Sequence, residues 1–171
     1  VINRISKKQN CYAIGVFKKY NIKLDMDKNH LVLVEPSDMG NLGTIIRTML
    51  GFNIKNLAII KPAVDIYDPK AIRASMGAAF KISFEYFDSF EEYMSSFNHN
   101  IYTFMLDAKE SLYDVNIKKD KPFSLVFGNE GSGLSHEFSN IGTSIIIPHS
   151  NEIDSLNLSI AVGIAIYEFT R

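Results

Sequence analysis

Three short segments of this chain combine polar or charged side chains with glycines at spacings that could build a ligand site. The first to consider is Gly128-Asn129-Glu130-Gly131-Ser132-Gly133-Leu134, which follows the apolar run 123–127 and carries a carboxylate where a phosphate-binding loop carries lysine. Glycines let backbone amides approach a ligand closely, but a P-loop ends in Gly-Lys-Ser/Thr, and Glu130 would repel phosphates. The loop therefore suits a nucleoside-like ligand without a phosphate chain. Taken alone, it reads equally well as a turn that leads the chain out of a strand. A second segment, Asn41-Leu42-Gly43-Thr44-Ile45-Ile46-Arg47, puts Asn41 near a helix start and Arg47 about two turns later on an otherwise apolar helix. As purely structural residues, Asn41 would be a helix cap and Arg47 a snorkelling cation. The third runs from Ile145-Ile146-Ile147-Pro148 through residues 149–154 into Ser155-Leu156-Asn157, where Ser155 could cap the last helix.

Such loops need rigid elements behind them, and the rest of the chain supplies an alternation of apolar runs and helical patterns. Strands are expected at 31–34, 57–60, 82–87, 101–106, 123–127 and 144–147. Helices are expected at 42–50, ended by Gly51, from Pro69 through Met76, at 90–97, and from about 155 to 170. Strands apolar at nearly every position, alternating with helices, argue an α/β fold with a mostly parallel sheet and helices on both faces. In such sheets ligands sit beyond the carboxyl ends of the strands, where the three segments fall.

With 171 residues, 46% hydrophobic and 22% charged, the chain is expected to form one catalytic-size domain, 30–171, preceded by a basic arm, 1–29. The net charge of −1 does not advertise nucleic-acid binding, but up to Leu24 the chain holds Arg4, Lys7, Lys8, Lys18, Lys19 and Lys23 with no Asp or Glu. Its opening at Val1 rather than methionine leaves room for a preceding RNA-binding domain. The lone Cys11 excludes an internal disulfide and fits a reducing cytosol. His30, His99, His136 and His149 are scattered without metal-ligand spacing, so each is expected to be a core or surface histidine and no metal is expected. No apolar stretch approaches the roughly 20 residues of a membrane span, which places the protein in the cytoplasm.

Together the three segments resemble the motifs of the SpoU (TrmH-like) branch of the SPOUT RNA 2′-O-ribose methyltransferases. Asn41, Gly43 and Arg47 match its Asn-x-Gly-x-x-x-Arg segment; Gly128, Glu130, Gly133 and Leu134 match its Gly-x-Glu-x-x-Gly-Leu loop. Ile147, Pro148, Ser155, Leu156 and Asn157 match its Ile-Pro and Ser-Leu-Asn elements, and Lys70 to Ala78 looks like a further recurrent segment. Two positions depart from many relatives: Asn151 and Glu152 stand in a turn that is often glycine-rich, and Asn tolerates the left-handed conformation better than Glu.

The resemblance implies a sheet of five or six parallel strands, a C-terminal segment threaded into a deep trefoil knot, and an obligate homodimer. It implies S-adenosylmethionine as cofactor, held by Leu106, Gly128, Gly133, Ile147 and Leu156, and transfer of its methyl group to a ribose 2′-hydroxyl of tRNA or rRNA. Arg47 would then work at the ribose. A guanidinium stays protonated, so gripping a phosphate or stabilising a developing alkoxide suits it better than acting as a base. Asn41 would orient it, Glu130 would fix the hydrogen-bond network, and Ser155 and Asn157 would shape the pocket. Arg47, Lys70, Arg73, Lys18 and Lys19 are the candidate RNA contacts. The rival readings are a base-methylating enzyme of the same fold and a non-catalytic RNA-binding relative. A dinucleotide-binding enzyme is disfavoured, because Glu35-Pro36-Ser37-Asp38, not a glycine motif, follows the first strand.

Overall fold

The apolar strands alternate their side chains between two separate cores, one on each face of a single sheet. A computed structural model describes residues 15–20 and 22–171. Seven strands occur in the order β3-β2-β1-β6-β4-β7-β5, and every pairing between them is parallel. They are β1 (His30–Val34), β2 (Asn56–Ile60), β3 (Ser83–Phe87), β4 (Asn100–Phe104), β5 (Glu110–Ser111), β6 (Phe123–Phe127) and β7 (Thr143–Ile146). Leu31, Leu33, Leu57, Ile59, Leu125 and Phe127 point into the larger core. Val32, Ala58, Ile60 and Val126, one residue out of step, point into the smaller one.

Helices cover both faces, as the apolar strands require. On the larger core lie α1 (Met39–Gly51), which buries Leu42, Ile45, Ile46 and Met49, and α2 (Pro69–Ala74), which buries Ala71. They are joined there by α4 (Leu158–Thr170), through Leu158, Val162, Ala165, Ile166 and Phe169. The other face is closed by α3 (Phe90–Ser96), whose Phe90 and Tyr93 are buried. Among the described residues no helix is long and apolar enough to cross a membrane.

The structure corrects several expectations. Asp38, not Asn41, caps α1, accepting the Asn41 amide at 2.7 Å, so Asn41 lies inside the first turn with its side chain free for other partners. Asn157, not Ser155, caps α4, which starts three residues later than the apolar pattern suggested. The extra strand β5 is two residues long, too short to show periodicity, and brings the sheet to seven strands rather than five or six. β4 ends at Phe104 and β7 at Ile146, so Leu106 and Ile147 are loop residues.

Of the basic arm, Arg4, Lys7 and Lys8 lie outside the described residues, as does Cys11. The described part runs along the sheet edge: Ile22 bridges Phe84, and the Leu24 amide donates to Glu85 at 2.9 Å. It is then tied to the amino ends of the strands by two buried histidines. His30 and His99 donate from Nε2 to the carbonyls of Asp25 and Met26, each at 2.9 Å. Their Nδ1 atoms meet the hydroxyls of Tyr93 and Ser124, each at 2.9 Å, and those two hydroxyls lie 2.6 Å apart.

Candidate active site

The carboxyl ends of β1, β6, β4 and β7 all open on the same side of the sheet, and the loops that follow β6, β4 and β7 line one cleft. After β6 the chain folds back on itself. A Cβ on Gly128 would come within 2.1–2.3 Å of the backbone of Gly133 and Leu134, so only glycine permits this return. Gly133, at φ +68°, donates its amide to the Asn129 carbonyl at 2.9 Å. The Asn129 side chain fixes the loop internally by accepting the amides of Gly131 and Ser132, at 2.8 and 3.3 Å. Its amide group reaches across to the Glu35 carbonyl at 2.8 Å, beyond the end of β1.

Glu130 makes the same crossing with its carboxylate. One oxygen accepts the Ser37 amide at 3.0 Å and the Ser37 hydroxyl at 2.7 Å; the other accepts the Asp38 amide at 3.1 Å. Partial burial opposes its charge, but the Ser37 and Asp38 donors outweigh that cost and hold the carboxyl below its usual range. It is therefore an anion already supplied with donors, and it braces the turn that launches α1.

Asp38 continues the network. Beyond capping α1, its carboxylate takes the Lys70 ammonium at 2.9 Å, and the Asn41 amide first and Lys70 second hold its pKa down. From the third segment, Asn157 accepts the amide and hydroxyl of Ser159, at 2.9 and 2.7 Å, and donates to the Asn41 side-chain oxygen at 3.2 Å. Hydrogen bonds thus join all three segments although they lie far apart in sequence.

The cleft receives Leu106, Gly128, Gly133, Ile147 and Leu156, all five of the expected cofactor residues, together with Glu130 and Ser155. Its walls are mostly apolar, including Phe104, Met105 and Leu158, and among the described residues no lysine or arginine lines it. That donor set fits a nucleoside-type ligand and gives a phosphate chain nothing to bind, since phosphate sites are built from cations and converging amides. Asn157, between the lining residues Leu156 and Leu158, and its bonded partner Asn41 stand beside the cleft without lining it. Arg47 stands apart, exposed on α1 with no side-chain partner among the described residues.

The expected RNA contacts divide. Lys18 and Arg73 are exposed, whereas Lys19 pairs with Asp65 and Lys70 with Asp38. Sequence reasoning missed Ser37, Asp38, Asn129 and His149. Asp38, three residues before Asn41, has the spacing of an N-cap and was legible on that ground. His149 lines the cleft with Nδ1 donating to the Ile147 carbonyl at 2.8 Å; nothing in the local sequence signalled this. Among the described residues no three His, Cys, Asp or Glu side chains converge on a metal position.

A parallel sheet clothed on both faces, with a cation-free cleft built from the loops at its strand ends, defines an α/β domain of the nucleoside-ligand-binding class. Within that class the chain belongs to the SpoU rRNA methylase family, whose sequence model matches residues 28–167. It is 30% identical over 145 residues to an uncharacterised tRNA/rRNA methyltransferase of Synechocystis, a match covering 82% of this chain and 52% of that protein. A tRNA (cytidine-2′-O-)-methyltransferase of Sulfolobus acidocaldarius is 30% identical over 151 residues, with 82% and 64% covered. Among solved structures, an AdoMet-bound rRNA methyltransferase from Sinorhizobium meliloti superposes with a TM-score of 0.78 at 28% identity, over 86% of this chain and 57% of that one. A TrmH-family protein of Porphyromonas gingivalis gives 0.81 at 28%, over 100% and 71%. The chain spans about half to two thirds of the length of the two curated relatives.

Proposed function

We propose that this domain binds S-adenosylmethionine and transfers its methyl group to a ribose 2′-hydroxyl of tRNA or rRNA. The observation that carries the proposal is the cation-free cleft with the Asn41–Asn157 pair at its flank and, on the helix whose first turn holds Asn41, an exposed Arg47 with no side-chain partner among the described residues. Relatives whose names specify ribose methylation of tRNA support the choice of acceptor. We place this activity in the cytoplasm, with tRNA or rRNA as its partner.

The backbone at Gly128, Ile147 and Leu156 would hold the adenosine, with Leu106 and Gly133 closing over it. When bound, the cofactor supplies an electrophilic methyl group on a sulfonium; the protein's part is to align the hydroxyl and relieve it of its proton. Arg47 grips the phosphate beside the target ribose or steadies the oxygen as it loses its proton, which a phosphate oxygen or water accepts. Glu130, committed to Ser37 and Asp38, holds the frame, and Ser155 lines the pocket between cofactor and ribose. Positioning of this kind can supply much of the rate.

Two further features belong to this reading. The C-terminal segment threads as a trefoil knot: β7 lies between β4 and β5, strands made before it in the chain, which supports its passage beneath residues 105–109. A homodimer forms through α4, where Ile160, Ile164 and Tyr167 are exposed at helical spacing and Phe52 packs edge-on against Tyr167.

Calorimetry with S-adenosylmethionine and with NAD tests the cofactor; heat from NAD alone would overturn the proposal. Incubation with total tRNA and rRNA, followed by nucleoside mass spectrometry, tests the reaction. A 2′-O-methyl nucleoside is expected, and a base-methylated one would replace the ribose with a base as acceptor.

A further inference from the structure

The first turn of α1 carries Asn41 and, two turns on, Arg47, so whatever steadies that turn steadies the proposed chemistry. Two contacts from α2 converge there. At Gly43 the helices pack so closely that a Cβ would come within 2.4 Å of the Ala71 carbonyl and 2.5 Å of the Ala74 methyl. One turn earlier, at Gly40, a Cβ would lie 2.9 Å from the Asp38 carboxylate and 3.4 Å from the Lys70 side-chain stem. The two missing side chains let α2 settle onto α1 and let Lys70 cross its first turn to reach Asp38, at 2.9 Å. That same carboxylate holds the Asn41 amide at 2.7 Å, and the Asn41 side chain receives Asn157.

We propose that Lys70 is a positioning residue for methyl transfer: its ion pair with Asp38 clamps the start of α1 and so fixes Asn41 and Asn157 beside the cleft. This rests on the methyltransferase reading above. It also assigns Lys70 a task other than gripping an RNA phosphate. The ammonium's nearest anion is internal, and Asp38 would repel a phosphate brought to the same place. Both side chains are about half exposed, at 56% and 44%. An ion pair that open contributes little to global stability, so its removal leaves the domain folded and the loss is read at the site.

The test compares K70M, K70R and D38N with the unaltered protein. Asparagine remains a good N-cap, so D38N removes the charge while keeping the helix start. Expected for K70M and D38N is a kcat lowered about tenfold, as follows from slight misplacement of reacting groups. S-adenosylmethionine affinity and the salt dependence of RNA binding are unchanged. K70R restores kcat to within about twofold, and the double variant K70M/D38N is no worse than either alone. Hydrogen exchange at the Asn41 amide, followed by NMR, quickens in K70M. Unaltered kcat together with a salt slope reduced by about one would make Lys70 a phosphate ligand and overturn the proposal. Unaltered exchange at Asn41 would overturn it as well. If the unaltered protein methylates no RNA, the methyltransferase reading fails, and the exchange measurement still decides whether the clamp exists.

Discussion

Arg47 and His30 show how differently two basic side chains can be used in one domain. Arg47 is exposed and has no partner among the described residues, so its replacement disturbs no internal contact. R47A is expected to fold as the unaltered chain does while losing on the order of a hundredfold in kcat, the cost of removing one preorganised donor. Full activity of R47A on a verified RNA substrate would remove Arg47 from the mechanism. His30 is wholly buried, and burial pushes its pKa down to about 4, helped by His99 and opposed by the Asp25 carbonyl and carboxylate. Its folded pKa lies below the unfolded value of about 6.5, so the unfolded chain binds the proton more readily. Stability is therefore complete above about pH 6.5 and declines as pH falls towards 4, by about 3 kcal/mol at most from this residue. Urea midpoints between pH 7.5 and 4.5 check the slope, which replacement of both His30 and His99 by glutamine should flatten.

At the scale of elements, the starts of helices do double duty. Asn157 caps α4 with its side-chain oxygen and reaches Asn41 with its nitrogen. N157A is expected to cost about 1 kcal/mol of stability, the usual worth of a cap, and to lower kcat as well. N157D keeps the capping oxygen but loses the donor, so it should restore the unfolding midpoint and leave kcat low. Recovery of both would reduce Asn157 to a cap. The helix starts were also where sequence reading slipped. Asn41 and Ser155 have good capping chemistry, yet Asp38 and Asn157 hold those positions. Capping preference names candidates within a few residues, and the tertiary packing of α1 and α4 selects among them.

For the whole molecule, the exposed apolar stripe on α4 makes the oligomeric state the decisive property. Ile160 is 55% exposed and Tyr167 57%, an expensive arrangement for a monomer and a natural one for a partner-covered face. I164E is expected to convert the proposed dimer to a monomer in sedimentation at micromolar concentration while leaving the domain folded. A monomeric unaltered protein would remove the proposed interface.

What the sequence determined by itself was local. Among the described residues, short apolar runs marked six of the seven strands, helical spacing and a helix-opening proline marked the four α-helices, and glycine, Asn and Glu spacing marked the three segments around the cleft. Each of these is set by residues within a few positions of one another, where backbone geometry links residue type to conformation. Tertiary structure alone decided what those residues touch. Glu130 meets Ser37 across 93 positions, Asn157 meets Asn41 across 116, and Lys70 meets Asp38 rather than solvent. The two-residue strand β5 likewise exists only because β7 offers it an edge. Such pairings depend on strand order and on how closely helices approach over glycines, and neither leaves a periodic trace in the chain.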